Sequence, residues 1–503
     1  MRNKLAIIGI DSLDPYVLLK YRNELPVFDR LMKGSPTFKS KSVFPVDTIP
    51  AWTSIFTGLN PENHGTFYVY DIFDPNLSDL RKVNVCQSKG KTFWDYAGQA
   101  GYRSGIVYPQ LLYPAWDIDG FMVSKSPFDR RVDWLSADID VDVYPKNLKD
   151  TYEIPDKISS LWGGFPGEKY LSKWADLGKS TLDLETGVGM KLYKNEKWDL
   201  FFIYFSLLDI IQHRLWRYFD ENDPMYSNRP EFKKVVLDYY KYFDRSVGEF
   251  MEVYPDMPMI IMSDHGHKSR PVKTFNINEH LRTKSYLSAR GQRLNVIGTL
   301  KNLSLSVATK LNLEPWLIKL VVKSKSATKV SKSLYSSSGS IDKEKSLAWA
   351  SHFAGIKSYP HGGIEINRSL VSDSEYKRVT NELISSLLSL KAPDGLPLVQ
   401  WVKRREELHG TYVDTIYPDL IFELRTDYGV GWDVYSKLFG TSFDHKVASG
   451  GHGEDAVFLM HNINRTVAKK EISIVDTTPT VLDILEIDRA QRKFDGTSMI
   501  GHR

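Results

Sequence analysis

Three short apolar runs constrain the fold of this chain more than any other feature: Leu5-Ala6-Ile7-Ile8-Gly9-Ile10, Leu200-Phe201-Phe202-Ile203-Tyr204-Phe205, and Met257 to Met262. Each is too short to cross a bilayer and has no regular polar alternation, so each predicts a strand covered on both faces, as in a parallel sheet between helices. Each also leads directly into residues that bind cations or move protons. Asp11-Ser12 follows the first run, Leu208-Asp209-Ile210-Ile211-Gln212-His213 the second, and Ser263-Asp264-His265-Gly266-His267 the third. Open α/β sheets bind ligands beyond the carboxyl ends of their strands, which puts Asp11 where chemistry happens, although a helix N-cap would use the same residue. Asp209 and His213 are spaced so that one helical face carries both and the pair can share a metal. Asp264 and His265, with Gly266 to let the chain turn, predict a metal corner. His267 and Lys268 are secondary candidates for phosphate contact, with a solvated loop the alternative for Lys268.

The stretch Val43-Phe44-Pro45-Val46-Asp47-Thr48-Ile49-Pro50-Ala51-Trp52-Thr53-Ser54-Ile55-Phe56-Thr57-Gly58-Leu59 carries a second signal. An extended approach ends at Thr48, Pro50 sits where a first helical turn tolerates it, and an apolar helix runs to Thr57-Gly58. A hydroxyl is thereby expected at a helix N-terminus, whose unpaired N–H groups and positive dipole end suit a phosphoryl or sulfuryl oxygen. The plainer alternative is that Thr48 is the N-cap.

Composition narrows the class. Hydrophobic content of 42% and charged content of 25% are those of a globular protein, and a net charge of +4 on 503 residues is no nucleic-acid signature. One cysteine, Cys86, excludes an intramolecular disulfide and a CxxC metal site, so metal ligands must be His and carboxylate. No run is long and apolar enough to span a membrane, and the expected location is cytoplasmic.

Elsewhere, helices are expected over Leu25 to Met32, Thr92 to Gly101 and Glu231 to Val253, and strands over Ser104 to Tyr108, Gly362 to Ile366 and Asp419 to Leu424. His64 reads as a surface-turn histidine, and Leu135 to Tyr170 as a long loop region beside the site. Residues 282–345 are Lys- and Ser-rich; within them 312–335 fits a basic amphipathic helix, either packed on the core or acting as a lid or peripheral membrane contact. Near the end, Ser449-Gly450-Gly451-His452-Gly453 predicts a flexible loop that lets His452 point into a site, and Ile472 to Leu485 closes the chain with a helix.

Taken in order, Asp11 after the first strand, Thr48 at the head of its helix, Asp209 with His213, Asp264 with His265, and His452 in GGHG resemble the alkaline phosphatase superfamily. The resemblance is closest to its type I phosphodiesterase/nucleotide pyrophosphatase branch and covers Leu5 to about Gly496. It implies a three-layer α/β/α core at 1–281 and 346–503 with a helical insertion at 282–345. It also implies two divalent metal ions, one held by Asp209, His213 and His452, the other by Asp11, Asp264, His265 and the Thr48 oxygen. Mixed His/carboxylate ligation suits zinc, with manganese or iron as alternatives.

The activity implied is hydrolysis of a small-molecule phosphoester through a phosphothreonine on Thr48. Two cations about 4 Å apart can clamp the attacking and leaving oxygens of such a displacement. A phosphomutase or phosphotransferase, and a non-catalytic metal-binding scaffold, are the rival readings. Thr48-Ile49-Pro50-Ala51-Trp52 lacks the C/S-x-P-x-R signature of sulfatases on the same fold. No arginine follows Thr48 within its helix, which favours diesters over the more highly charged monoesters, the alternative being that a distant residue such as Lys268 or Arg270 folds in to supply the charge.

Overall fold

The computed structural model describes residues 2–66, 88, 90–126, 130–131, 135–161, 166–289, 341–351, 359–409, 417–442, 445, 448–490 and 492–501. A ten-stranded sheet forms its centre. Five parallel strands run side by side in the order Met259–Met262, Leu5–Ile10, Leu200–Phe205, Ser104–Val107, Gly120–Lys125. Asp455–His461 adds antiparallel to one side and Ala137–Tyr144 to the other. The three apolar runs of the sequence are thus the adjacent middle strands, with Gly9 in register with both Tyr204 and Met262.

Period-two alternation divides these strands between two cores. Ala6, Ile8, Ile10, Phe201, Ile203 and Phe205 face the layer built from helices Leu171–Asn195, Leu207–Phe219 and Pro230–Val253. Leu5, Ile7, Leu200, Phe202 and Tyr204 face helices Thr48–Thr57, Phe93–Gln99 and Thr477–Ile484. The result is the mixed α/β, helix–sheet–helix architecture expected from the sequence. Local signals explain several boundaries: Thr92 and Asp95 close a capping box at the start of Phe93–Gln99, and Gly58, at φ 70°, ends Thr48–Thr57 in the left-handed conformation.

A second unit stands beside this core. Its four antiparallel strands, Ala348–Ser351, His361–Ile366, Leu420–Leu424 and Val399–Arg404, pair in that order and pack with helices Asp373–Leu388 and Ile277–Thr283 around Ile364, Val379, Leu383 and Phe422. The runs at 362–366 and 419–424 therefore pair with each other and not with the parallel strands.

The loop expected over Leu135 to Tyr170 is instead sheet edge for much of its length. Ala137–Tyr144 buries Ala137, Val141 and Val143 and turns Asp138, Asp140 and Asp142 outward, while Lys157–Ser160 pairs beside it. The alternating acids, poor strand formers in isolation, hid a half-buried strand. The expected amphipathic helix at 312–335 lies outside the described residues, as does 290–340 generally. No helix among the described residues is long and apolar enough to cross a membrane.

Candidate active site

Asp47 caps the helix that carries Thr48. Its carboxylate accepts from the Ile49 N–H at 3.5 Å and its carbonyl from the Ala51 N–H at 3.1 Å, which makes Thr48 the first helical residue. The N-cap alternative for Thr48 is corrected by this neighbour, and the threonine hydroxyl is left for other work. Thr48 Oγ1 lies 3.1 Å from His265 Nε2 and 3.5 Å from Asp11 Oδ1. One turn later Trp52 presses its ring against the central strand at Gly9, where a Cβ would come within 2.5 Å of Trp52 Cη2. The glycine allows the helix to sit this close.

Asp11 and Asp264 leave the ends of adjacent parallel strands and meet over Thr48. His265 Nε2 is 3.2 Å from Asp264 Oδ2 and 3.6 Å from Asp11 Oδ1, while its Nδ1 is 3.0 Å from the Gly266 carbonyl. That carbonyl can only accept, so Nδ1 carries the proton and Nε2 presents a lone pair inward. Asp264 Oδ1 accepts from the Ser12 N–H at 3.1 Å, and its Oδ2 is buried with no hydrogen-bond partner among the described residues.

The second cluster is built by helix Leu207–Phe219 and the short strand Gly450–Gly453. Asp209 Oδ2 is 3.3 Å from His213 Nε2, and Asp209 Oδ1 is 3.7 Å from His452 Nε2. His452 does not ride on a flexible loop: Gly450–Gly453 pairs antiparallel with Gly266–Ser269, setting His452 opposite His267. The glycines serve close packing here, since a Cβ at Gly450 would come within 2.1 Å of His267 Nε2.

Asp209 Oδ1 is likewise buried without a hydrogen-bond partner among the described residues. Two three-residue groups, Asp209/His265/His452 and Asp11/Asp264/His265, present ligand atoms within 4.8 Å of one another. His265 belongs to both by distance, and its contact with Thr48 associates it with the Asp11 side. Orphaned carboxylate oxygens facing inward-turned imidazole lone pairs are a donor set that fits divalent cations.

Electrostatics agree. Burial, reinforced by the charges of Asp264 and Asp209, holds the Asp11 carboxyl well above the usual range. Burial raises Asp264 to about 6 against the opposing effect of His265. At Asp209 burial also acts upward but is outweighed by the interactions with His213, His265 and His267, which hold this carboxyl below its ordinary range. Among the described residues no Lys or Arg forms an ion pair with Asp11, Asp209 or Asp264.

The structure thus brings together Asp11, Thr48, Asp209, His213, Asp264, His265 and His452. His64 is not a surface residue: Pro61–His64 turns it inward, where its Nε2 is 3.0 Å from Ser54 Oγ on the Thr48 helix and its Nδ1 accepts from the Thr66 N–H. His267 is buried beside the cluster, 2.8 Å from Ser12 Oγ and 3.8 Å from Asp209. Lys268 is half-buried on the same short strand.

Sequence reasoning missed the residues that orient the others. Ser12 sits at φ 59°; its N–H reaches Asp264, and its carbonyl accepts from Gln212 Nε2 at 2.9 Å. The Tyr204 hydroxyl donates to Asp11 Oδ2. Tyr359, from the second unit, places its hydroxyl 3.1 Å from His452 Nδ1. Only Ser12, next to Asp11, carried any local signal.

A family profile for type I phosphodiesterase / nucleotide pyrophosphatase matches residues 5–431, ending before His452. Ectonucleotide pyrophosphatase/phosphodiesterase family member 1 of Rattus norvegicus is 29% identical over 151 residues, covering 26% of this chain and 16% of that protein. Its Homo sapiens counterpart is 30% identical over 122 residues, covering 22% and 12%. The chain thus matches less than a fifth of the length of these curated relatives. The profile match over most of the chain, on a fold with a helix-flanked and largely parallel sheet, makes the protein a member of the type I phosphodiesterase/nucleotide pyrophosphatase family of the alkaline phosphatase superfamily.

Proposed function

We propose that this chain is a metal-dependent phosphodiesterase that uses Thr48 as its nucleophile. The observation that carries the reading is the Thr48 hydroxyl, at the first position of a helix, facing His265 Nε2 at 3.1 Å and Asp11 Oδ1 at 3.5 Å. Asp209, His213 and His452 would hold one divalent ion, and Asp11, Asp264 and His265, with the Thr48 oxygen, the other. His and carboxylate together suit zinc, with manganese or iron as alternatives. When bound, such ions supply positive charge that favours the threonine alkoxide and offsets charge on the phosphoryl group.

The chain's own groups divide the remaining work. The Asp11 carboxylate, to which Thr48 Oγ1 donates, offers an acceptor for the Thr48 proton, and the helix N-terminus offers N–H groups and its dipole to the phosphoryl oxygens. The Thr48 oxygen attacks phosphorus in line, the bond to the leaving alcohol breaks, and a phosphothreonine remains. Water then displaces the threonine oxygen, releasing the phosphoryl product and returning the hydroxyl.

The test is an acid quench during turnover of an aryl phosphodiester, followed by mass analysis of the peptide containing Thr48. Thr48 carrying the phosphoryl group with its remaining ester substituent is expected, together with a loss of at least about a thousandfold in kcat for Thr48→Ala. Wild-type turnover by the alanine variant would remove Thr48 from the mechanism.

A further inference from the structure

We propose that Tyr204 is a positioning residue that sets the orientation of the Asp11 carboxylate toward Thr48. The inference rests on the reading of Asp11 as a metal ligand but concerns a residue outside that ligand set. Tyr204 lies near the end of Leu200–Phe205, in register with Gly9 of the strand that delivers Asp11, and the Asp11 N–H donates to the Phe205 carbonyl at 2.9 Å. The main chain around Asp11 is held by this pairing. Its carboxyl torsion is not, because the terminal sp³–sp² rotation of an aspartate is soft.

Tyr204 removes that freedom. Its buried hydroxyl donates to Asp11 Oδ2, so Oδ1 is the oxygen turned to Thr48 at 3.5 Å and to His265 at 3.6 Å. The phenol ring is itself immobilised. It meets Trp52 edge-on at 4.8 Å between centroids, and Trp52 belongs to the same helix as Thr48. One side chain therefore touches both the carboxylate and the helix that presents the nucleophile, so the carboxylate and the hydroxyl are located by a single packed contact.

Zinc binding by the metal-free protein, measured in chelator competition with Zn²⁺ alone, tests this in four proteins: wild type, Tyr204→Phe, Asp11→Asn and Tyr239→Phe. Tyr239 is a buried phenol that donates to the Ala175 carbonyl at 2.8 Å, remote from the site, and controls for loss of an internal hydrogen bond. Asp11→Asn identifies the zinc equivalent that depends on Asp11. In Tyr204→Phe that equivalent is expected to loosen about 10- to 100-fold, with the other unchanged and with kcat reduced more than KM is raised. Tyr239→Phe should match wild type in both equivalents.

Wild-type zinc binding by Tyr204→Phe, alongside loss of one equivalent in Asp11→Asn, would overturn the inference. Equal loosening of both equivalents would also overturn it, by pointing to a general structural role. Failure of Tyr204→Phe to fold would do the same, since a positioning hydroxyl is dispensable to the fold. If Asp11→Asn keeps both equivalents, the ligand reading of Asp11 falls, and the Tyr204 inference with it.

Discussion

His213 Nε2 and His452 Nε2 lie 3.0 Å apart, and each ring directs its other nitrogen at a backbone carbonyl, Gly450 at 2.7 Å and Val46 at 3.0 Å. The carbonyls require protons on both Nδ1 atoms, so two lone pairs face each other beside the Asp209 carboxylate. Only a shared positive charge, a proton or a metal ion, relieves that arrangement.

The expected consequence is that His213→Gln costs the metal-free protein little, because a glutamine amide can donate where the imidazole could not. The same substitution should abolish the share of zinc stabilisation that comes from the Asp209 site, which for a single site reaches about 4 kcal/mol at a thousandfold excess over Kd, and leave the share of the other site. Thermal unfolding with and without zinc checks this. A full zinc-induced rise in Tm in the variant would contradict it.

The contact of Trp52 with Gly9 makes a separate prediction. Gly9→Ala places a methyl group 2.5 Å from Trp52 Cη2, an overpacking expected to cost about 1–3 kcal/mol. The helix must also shift and take Thr48 with it, so kcat should fall at temperatures where the variant is fully folded. A smaller ring in the double variant Gly9→Ala/Trp52→Phe should restore part of both losses. Additive losses in that cycle would show that the two residues do not couple.

His64 gives a pH dependence with a definite sign. Burial lowers its pKa from 6.5 to about 3. The unfolded chain therefore takes up a proton at higher pH than the folded one. The stability contributed by neutral His64 is present above pH 6.5 and is lost as pH falls toward 3. Denaturant unfolding of the metal-free protein between pH 7 and pH 4 should show a shallower loss for His64→Gln than for wild type. Parallel curves would mean that His64 is not the group responsible.

Substrate preference is expected to follow from the lack of cations paired with the three aspartates. Among the described residues no Lys or Arg pairs with Asp11, Asp209 or Asp264, and Lys125, next along the sheet edge, is 2.7 Å from Glu185. A monoester brings one more negative charge than a diester, and unmatched charge in a partly desolvated site is costly. An aryl methyl phosphodiester should therefore show a higher kcat/KM than the matching aryl monoester at saturating metal. The reverse order would reject the diesterase preference and leave the Thr48 chemistry standing.

Residues whose place in the fold is declared by their immediate neighbours were legible in advance. Asp11, Asp209 and Asp264 follow uninterrupted apolar runs, and a parallel strand buried on both faces has to end in polar chain at the sheet edge. The helix after Thr48 was legible from its apolar content and terminal glycine. Residues with ambiguous local patterns were not. Alternating aspartates hid the strand at Ala137–Tyr144, and the glycines around His452 suggested a loose loop where the structure has a ribbon paired with Gly266–Ser269.

By itself, then, the sequence determined the parallel core and the residue types waiting at its edge, because burial periodicity and strand ends are local properties. Tertiary structure decided how those residues point. The Nε2 atom of His213 faces inward because its Nδ1 meets the carbonyl of Gly450, that of His452 because its Nδ1 meets Val46, and Asp11 turns one oxygen to Thr48 because Tyr204 holds the other. A hydrogen bond between residues hundreds of positions apart exists only after the chain has folded, and no local pattern in the sequence encodes it.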